Sequence, residues 1–177
     1  MLKEHYLKTV VPKLKERLGR TNLLSLPKLQ KVVINVGVGK HLKDEGYVDF
    51  VEKTIVKITG QKPIRTTARI SISNFKVREG QVVGLKVTLR GARMYDFTEK
   101  LLRITFPRVR DFHGISTKGF DKNGNYTIGF KEQLAFPEVT AEDASRVHGL
   151  EITFVTSATD AKESRVLLEE LGFPFKK

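Results

Sequence analysis

Gly37-Val38-Gly39-Lys40 is the segment in which a phosphate-binding loop would first be sought. Such a loop wraps backbone N–H groups around phosphates and needs a leading Gly and a Ser or Thr after the Lys. Ile34 stands at the first of those places and His41 at the second, while Leu42 occupies the third Gly position of the dinucleotide-binding pattern. Asp121, Asn123, Asn125, Ile128 and Glu132 imitate the pattern of a calcium loop, but Tyr126 falls where the loop's sharp turn requires Gly. A tight hairpin turn at Asn123-Gly124 explains those residues more simply. Lys118-Gly119-Phe120 opens like an aromatic RNA-recognition strand, and Asp121-Lys122 ends the match. His5, His41, His113 and His148 are scattered, without metal-ligand spacing or a nucleophile signature nearby; His148, beside Gly149, reads as packing or surface. Glu142, Asp143, Glu169 and Glu170 cluster in the tail, where helix faces account for them. The chain has no Cys, which excludes disulfides, thiolate metal sites and a cysteine nucleophile. Neither catalysis nor a resident cofactor or metal is expected.

What remains is a polar, basic set. Lys31, Asn35, Arg65, Lys86, Thr88 and Arg90 fall at alternate positions of segments that read as strands. If those strands are neighbours, the six residues would share the sheet face turned away from the helices. Lys and Arg neutralise phosphates, while Asn and Thr bond to phosphates, riboses or base edges. A wet outer face is equally common in antiparallel sheets, so alternation alone leaves both readings open.

The elements that would hold this set follow from periodicity. Leu2, Tyr6, Val10, Leu14 and Leu18 recur every four residues, predicting an amphipathic helix stopped at Gly19. Lys31 to Lys40 alternates, with Val32, Ile34, Val36 and Val38 inward. Asp44 to Thr59 returns to helical spacing through Val48, Val51, Ile55 and Ile58, with acids in its first turn and Gly60 at its end. Residues 61–73 read as a strand bent or interrupted near Ala68, and Val82 to Arg90 as a strand with Val83, Leu85, Val87 and Leu89 inward. A helix through Met94, Phe97, Leu101 and Ile104 should break at Pro107. A long loop, a strand at 125–131, a strand at 149–156 and a helix capped by Asp160 and Glu163 complete the chain. The pattern predicts one α+β domain over residues 1–177, with helices on one face of a mainly antiparallel sheet and a polar, basic face on the other.

Charge favours a polyanionic partner. The net charge is +12, from 32 Lys and Arg against 20 Asp and Glu. Residues 1–31 carry eight basic and two acidic side chains, residues 61–110 twelve and three, and residues 132–177 five and nine. One part of the chain is built to face an anion and the tail is not. No apolar run approaches the roughly 18 residues of a spanning helix, and the first ten residues lack the apolar centre of a signal peptide, so a cytosolic protein is expected. A free-standing RNA chaperone or translation regulator, a nucleotide-dependent enzyme and a membrane-surface binder are the competing classes.

Ile55, Ile58, Thr59, Gly60, Gln61, Ile64, Thr66, Ala68, Arg69 and Ser71 match, in spacing and type, the signature of the large-subunit ribosomal protein five family. The resemblance runs on through KVVINVGVGK, NFKVREGQ, GLKVTLRG, FPRVRDFHGIS and VLLEELGFPF, nearly the whole chain, and looks like the bacterial form. It implies a structural protein of the large ribosomal subunit, in the cytoplasm, that binds 5S ribosomal RNA and anchors it in the central protuberance. Family hydrogen-bonding positions at the RNA face correspond to Asn35, Gln61, Phe75 and Thr88; alternation had selected Asn35 and Thr88 already. The resemblance also implies contacts with 23S ribosomal RNA, with small-subunit protein thirteen across the subunit interface, and with P-site transfer RNA. The last contact falls to the loop carrying Lys76, Val77, Arg78, Glu79 and Gly80. Asn74 and Gly80 are turn formers there, so the loop should project from the sheet, with Phe75 anchoring its base.

Overall fold

A computed structural model describes residues 2–41, 44–140 and 146–176. Five strands, β1 (Leu29–Gly37), β2 (Ile64–Thr67), β3 (Val82–Leu89), β4 (Tyr126–Phe130) and β5 (Leu150–Thr156), form one antiparallel sheet in the order β2-β3-β1-β5-β4. The chain divides into two compact units: Met1–Val33, Leu89–Ile128 and Ile152–Lys177 make one, and Ile34–Thr88 with Gly129–Glu151 the other. The acidic residues Glu142 and Asp143 lie outside the described residues.

In the first unit, helical turns α1 (Leu2–His5) and α2 (Val11–Leu18) flank a π-helical turn, Tyr6–Val10. A stripe spaced by four drifts about 40° per step on a helix of about 3.6 residues per turn. The wider π turn takes up that drift, and Leu2, Tyr6, Val10 and Leu14 are all buried. Gly19 closes the helix at φ 62°, a left-handed conformation suited to Gly. The second helix repeats the device: α4 (Gly91–Lys100), a π turn at Leu101–Thr105, then α5 (Phe106–Arg108). Pro12 and Pro107 each sit two residues beyond their π turn, where the opened ladder tolerates a missing N–H. The expected break at Pro107 is therefore corrected to a helix that continues to Arg108. The same turn shifts the phase, so Ile104, expected inward, is 44 % exposed and Thr105 is buried instead.

The two helices meet where the Leu2 N–H donates to the Glu99 carboxylate (2.9 Å) and the Tyr6 and Tyr95 rings lie 6.4 Å apart. Helix α6 (Ala161–Glu170) starts as expected, with the Glu163 N–H donating to Asp160 Oδ1 at 2.8 Å. Glu169 and Glu170 pair with Arg17, Glu170 also with Lys13, and Glu163 pairs with Arg20. These tail acids are structural partners of the basic first helix and of Arg20 just beyond it. Asn123-Gly124 forms the expected turn, and the Asp121 carboxylate spends itself on the N–H groups of Asn123 and Asn125 (2.9 and 2.7 Å). A Cβ on Gly119 would stand 2.3 Å from the Thr127 carbonyl oxygen, so only Gly fits beside that strand.

In the second unit, α3 (Glu45–Thr59) opens on Asp44, whose carboxylate accepts the Tyr47 N–H at 3.0 Å. Val48, Val51, Ile55 and Ile58 are buried as their spacing demands, and Gly60 ends the helix at φ 68°. Ile34, Val36, Leu85 and Val87 are buried, while Val83, expected inward, is only half-buried at the start of β3. The strand expected over 31–40 begins at Leu29 and ends at Gly37, where a short 3-10 turn, Gly39–His41, takes over. Buried Gln133 ties two backbone groups, donating to the Arg146 carbonyl (3.0 Å) and accepting the His148 N–H (2.8 Å). Of the two readings open for His148, packing or surface, packing holds: it is 4 % exposed and edge-on to Phe50, with burial lowering its pKa.

Candidate nucleic-acid interface

Register decides which side chains share the outer face of the second unit. Strand β2 pairs antiparallel with β3, Ile64 opposite Lys86, Arg65 opposite Leu85 and Thr66 opposite Gly84. Paired residues point the same way and successive residues along a strand point oppositely. Leu85 is buried, so Lys86 and Thr88 turn outward; Lys86 is exposed and Thr88 half-buried. On β1, Asn35 alternates with buried Ile34 and Val36 and is likewise half-buried. Gln61 follows α3 and lies outside any strand; the expectation that it begins one is corrected. The Thr59 hydroxyl accepts the Gln61 N–H at 3.2 Å, and the Gln61 Nε2 donates to the Thr88 carbonyl at 3.2 Å. That bond seats the Gln61 amide on the backbone near the end of β3.

Arg65 is the main correction. It was expected on the outer face with Lys86, but it pairs across to buried Leu85 and so takes the helix side. Its Nε donates to Glu52 (2.8 Å) and its Nη2 to Asp49 (2.6 Å), both on α3. The Glu52 and Asp49 carboxylates raise the guanidinium's pKa further. The residue that does face outward with Lys86 is Ile64, 72 % exposed.

Strand β2 is shorter than the segment 61–73 expected to form it; a register shift between Thr66 and Thr67 ends the regular pairing. The chain then runs out and back as an arm. Its base is held by the Ala68 N–H to the Gln81 carbonyl and the Gly80 N–H to the Ala68 carbonyl, both 2.9 Å. Further out, Ile72 and Val77 exchange two backbone bonds of 2.9 and 3.2 Å. The tip is the 3-10 turn Ser73–Phe75, closed by Lys76 at φ 54°. Lys76, Arg78, Glu79 and Gly80 are exposed and Val77 half-buried. Phe75 is 73 % exposed at the tip, which corrects the expectation that it anchors the arm's base. Beside the arm opens a cleft of about 1190 Å³, lined in part by His41, Asp44, Phe75, Lys76 and Arg78.

In the first unit, Lys31 is half-buried on β1 and Arg90 is exposed just after β3. Among the described residues no group of His, Asp and Glu could hold a metal ion, and no helix is long and apolar enough to cross a membrane. The chemistry on offer is hydrogen bonding, positive charge and exposed apolar surface. It is the equipment of a binding protein.

Residues 22–78 match the family model described as ribosomal protein L5, and residues 82–175 match the model for the C-terminus of that family. A protein named large ribosomal subunit protein uL5, from Natranaerobius thermophilus, is 49% identical over 174 residues, covering 98% of this chain and 97% of the relative. Proteins of the same name from Streptococcus sanguinis and Streptococcus pyogenes serotype M49 are 49% and 48% identical over 176 residues, each covering 99% of this chain and 98% of the relative. The chain is thus a structural, non-enzymatic ribosomal protein of the large subunit. It belongs to the ribosomal protein L5 family.

Proposed function

We propose that this chain binds 5S ribosomal RNA through the polar face of its sheet and anchors that RNA in the central protuberance. The observation that carries this reading is the outward set Asn35, Lys86 and Thr88, extended by Gln61 seated on the Thr88 carbonyl. Asn35 and Gln61 offer amide donors and acceptors to base edges and riboses, Thr88 a hydroxyl, and Lys86 a phosphate contact. Lys31 and Arg90 add charge, and exposed Phe75 offers a ring on which a base can stack. Arg65 is not among these contacts, because two carboxylates already hold it. The exposed arm is the second contact: residues 76–80 reach P-site transfer RNA. Contacts with 23S ribosomal RNA and with small-subunit protein thirteen rest on the family resemblance.

Salt tests the electrostatic part. Each phosphate neutralised releases counterions, giving a slope in log affinity against log salt of about −0.9 on B-form DNA and about −0.7 on single strands. Affinity for 5S RNA is expected to fall steeply between low and moderate salt, and Lys86→Ala to flatten the slope by about one contact. An affinity indifferent to salt would remove the assignment.

A further inference from the structure

The short edge strand β2 has little of its own to hold it in place. Ile64, Arg65 and Thr67 are exposed, among the described residues its four residues pair only with β3, and the pairing shifts register after Thr66. Pro63 is buried just before it. Within the strand, the Arg65 guanidinium reaches α3 in a forked contact, Nε and Nη2 on Glu52 (2.8 and 2.6 Å) and Nη2 on Asp49 (2.6 Å). Asp49 and Glu52 stand three positions apart on α3, adjacent on one helix face, so one planar guanidinium spans both. Because side chains alternate along β2, fixing Arg65 on the helix side fixes Ile64 and Thr66 on the outer side, opposite Lys86 and Gly84.

A slip here would be felt directly at the outer face. A Cβ added to Gly84 would lie 2.9 Å from Thr66 Oγ1 and 3.0 Å from the Val36 carbonyl oxygen. The three strands are therefore in close contact where the polar face is built.

We infer that Arg65 is a positioning residue for RNA binding: it contacts no phosphate, and by clamping β2 to Asp49 and Glu52 it holds the outer face in its binding register. This rests on the 5S RNA reading above. It reverses the role that charge alone would assign to an exposed Arg in the most basic stretch of the chain.

The effect is a population effect. An RNA that binds only the aligned face has its apparent affinity reduced by the aligned fraction, so a face aligned a fifth of the time binds about fivefold more weakly. The experiment titrates 5S RNA transcript with the full chain at several salt concentrations, with thermal unfolding measured on each variant. Wild type is compared with Lys86→Ala, with Arg65→Ala, and with Arg65→Glu combined with Asp49→Asn and Glu52→Arg, which restores the pair in reverse. Arg65→Ala is expected to weaken binding by up to about fivefold, the most that an exposed ion pair can shift such an equilibrium, with an unchanged salt slope, whereas Lys86→Ala lowers the slope by about one contact. The reversed pair is expected to recover most of the lost affinity, although it places a carboxylate in the strand.

Three results would overturn the inference. They are a salt slope lowered by one contact in Arg65→Ala, an affinity unchanged in Arg65→Ala even if its melting temperature drops, and a folded reversed pair that recovers nothing. A wild-type chain that does not bind 5S RNA defeats the functional reading itself, which the Arg65 variants alone cannot do.

Discussion

Ribosomes whose copy of this protein lacks residues 76–80 are expected to keep their 5S RNA and to bind P-site transfer RNA at least about tenfold more weakly. The estimate follows from Lys76 and Arg78, because a charge-assisted hydrogen bond is worth about 1.5–3 kcal/mol and tenfold is about 1.4 kcal/mol. The fold should survive. Lys76, Arg78, Glu79 and Gly80 are exposed, and of the deleted residues only Gly80 belongs to the pair of bonds closing the arm's base. Ile72 also loses its two backbone bonds to Val77, so the shortened arm will be looser beyond its base. Filter-binding of transfer RNA to purified ribosomes, with gel quantitation of 5S RNA in the same particles, reads both quantities. Loss of 5S RNA with normal transfer-RNA affinity would invert the division of labour between arm and sheet.

Asn35→Ala and Thr88→Ala should each cost about 1–3 kcal/mol of 5S RNA binding, roughly a five- to 150-fold loss, because each leaves a desolvated RNA group without its partner. Stability should change little. Both side chains are half-buried and point away from the core, and the Gln61 bond uses the Thr88 carbonyl, which Thr88→Ala retains. The two losses need not add, since both act at one surface. Equal losses of melting temperature and RNA affinity would identify a core network in place of a recognition face.

Much of this was legible in the residues. Strand β1 and helix α3 announce their buried faces because Val32, Ile34 and Val36, and Val48, Val51, Ile55 and Ile58, repeat at the period of their element. Asn35 and Thr88 follow by elimination. Strand β2 carries no such signal: Ile64, Arg65, Thr66 and Thr67 show no apolar alternation, and assigning its phase by charge sent Arg65 to the wrong side. The clue was Asp49 and Glu52, two carboxylates three positions apart on α3, neighbours on one helix face where a cation can bridge both. The π turns were hidden for a related reason. A hydrophobic stripe reports an average period, and one wide turn at Leu101–Thr105 exchanges Ile104 for Thr105 without changing the composition. Gln133 was missed because its partners are backbone groups of Arg146 and His148, which have no pattern in sequence.

Because the chain contains no Cys, a single introduced thiol can carry a radical-generating iron chelate at a chosen point of the surface. Ile64→Cys places it on the outer face opposite Lys86, and Lys53→Cys places it on the exposed surface of α3. With 5S RNA bound, strand scission of the RNA is expected from position 64 and not from position 53. Scission from position 53 with none from position 64 would put the RNA on the helix side and contradict the polar sheet face as its binding surface.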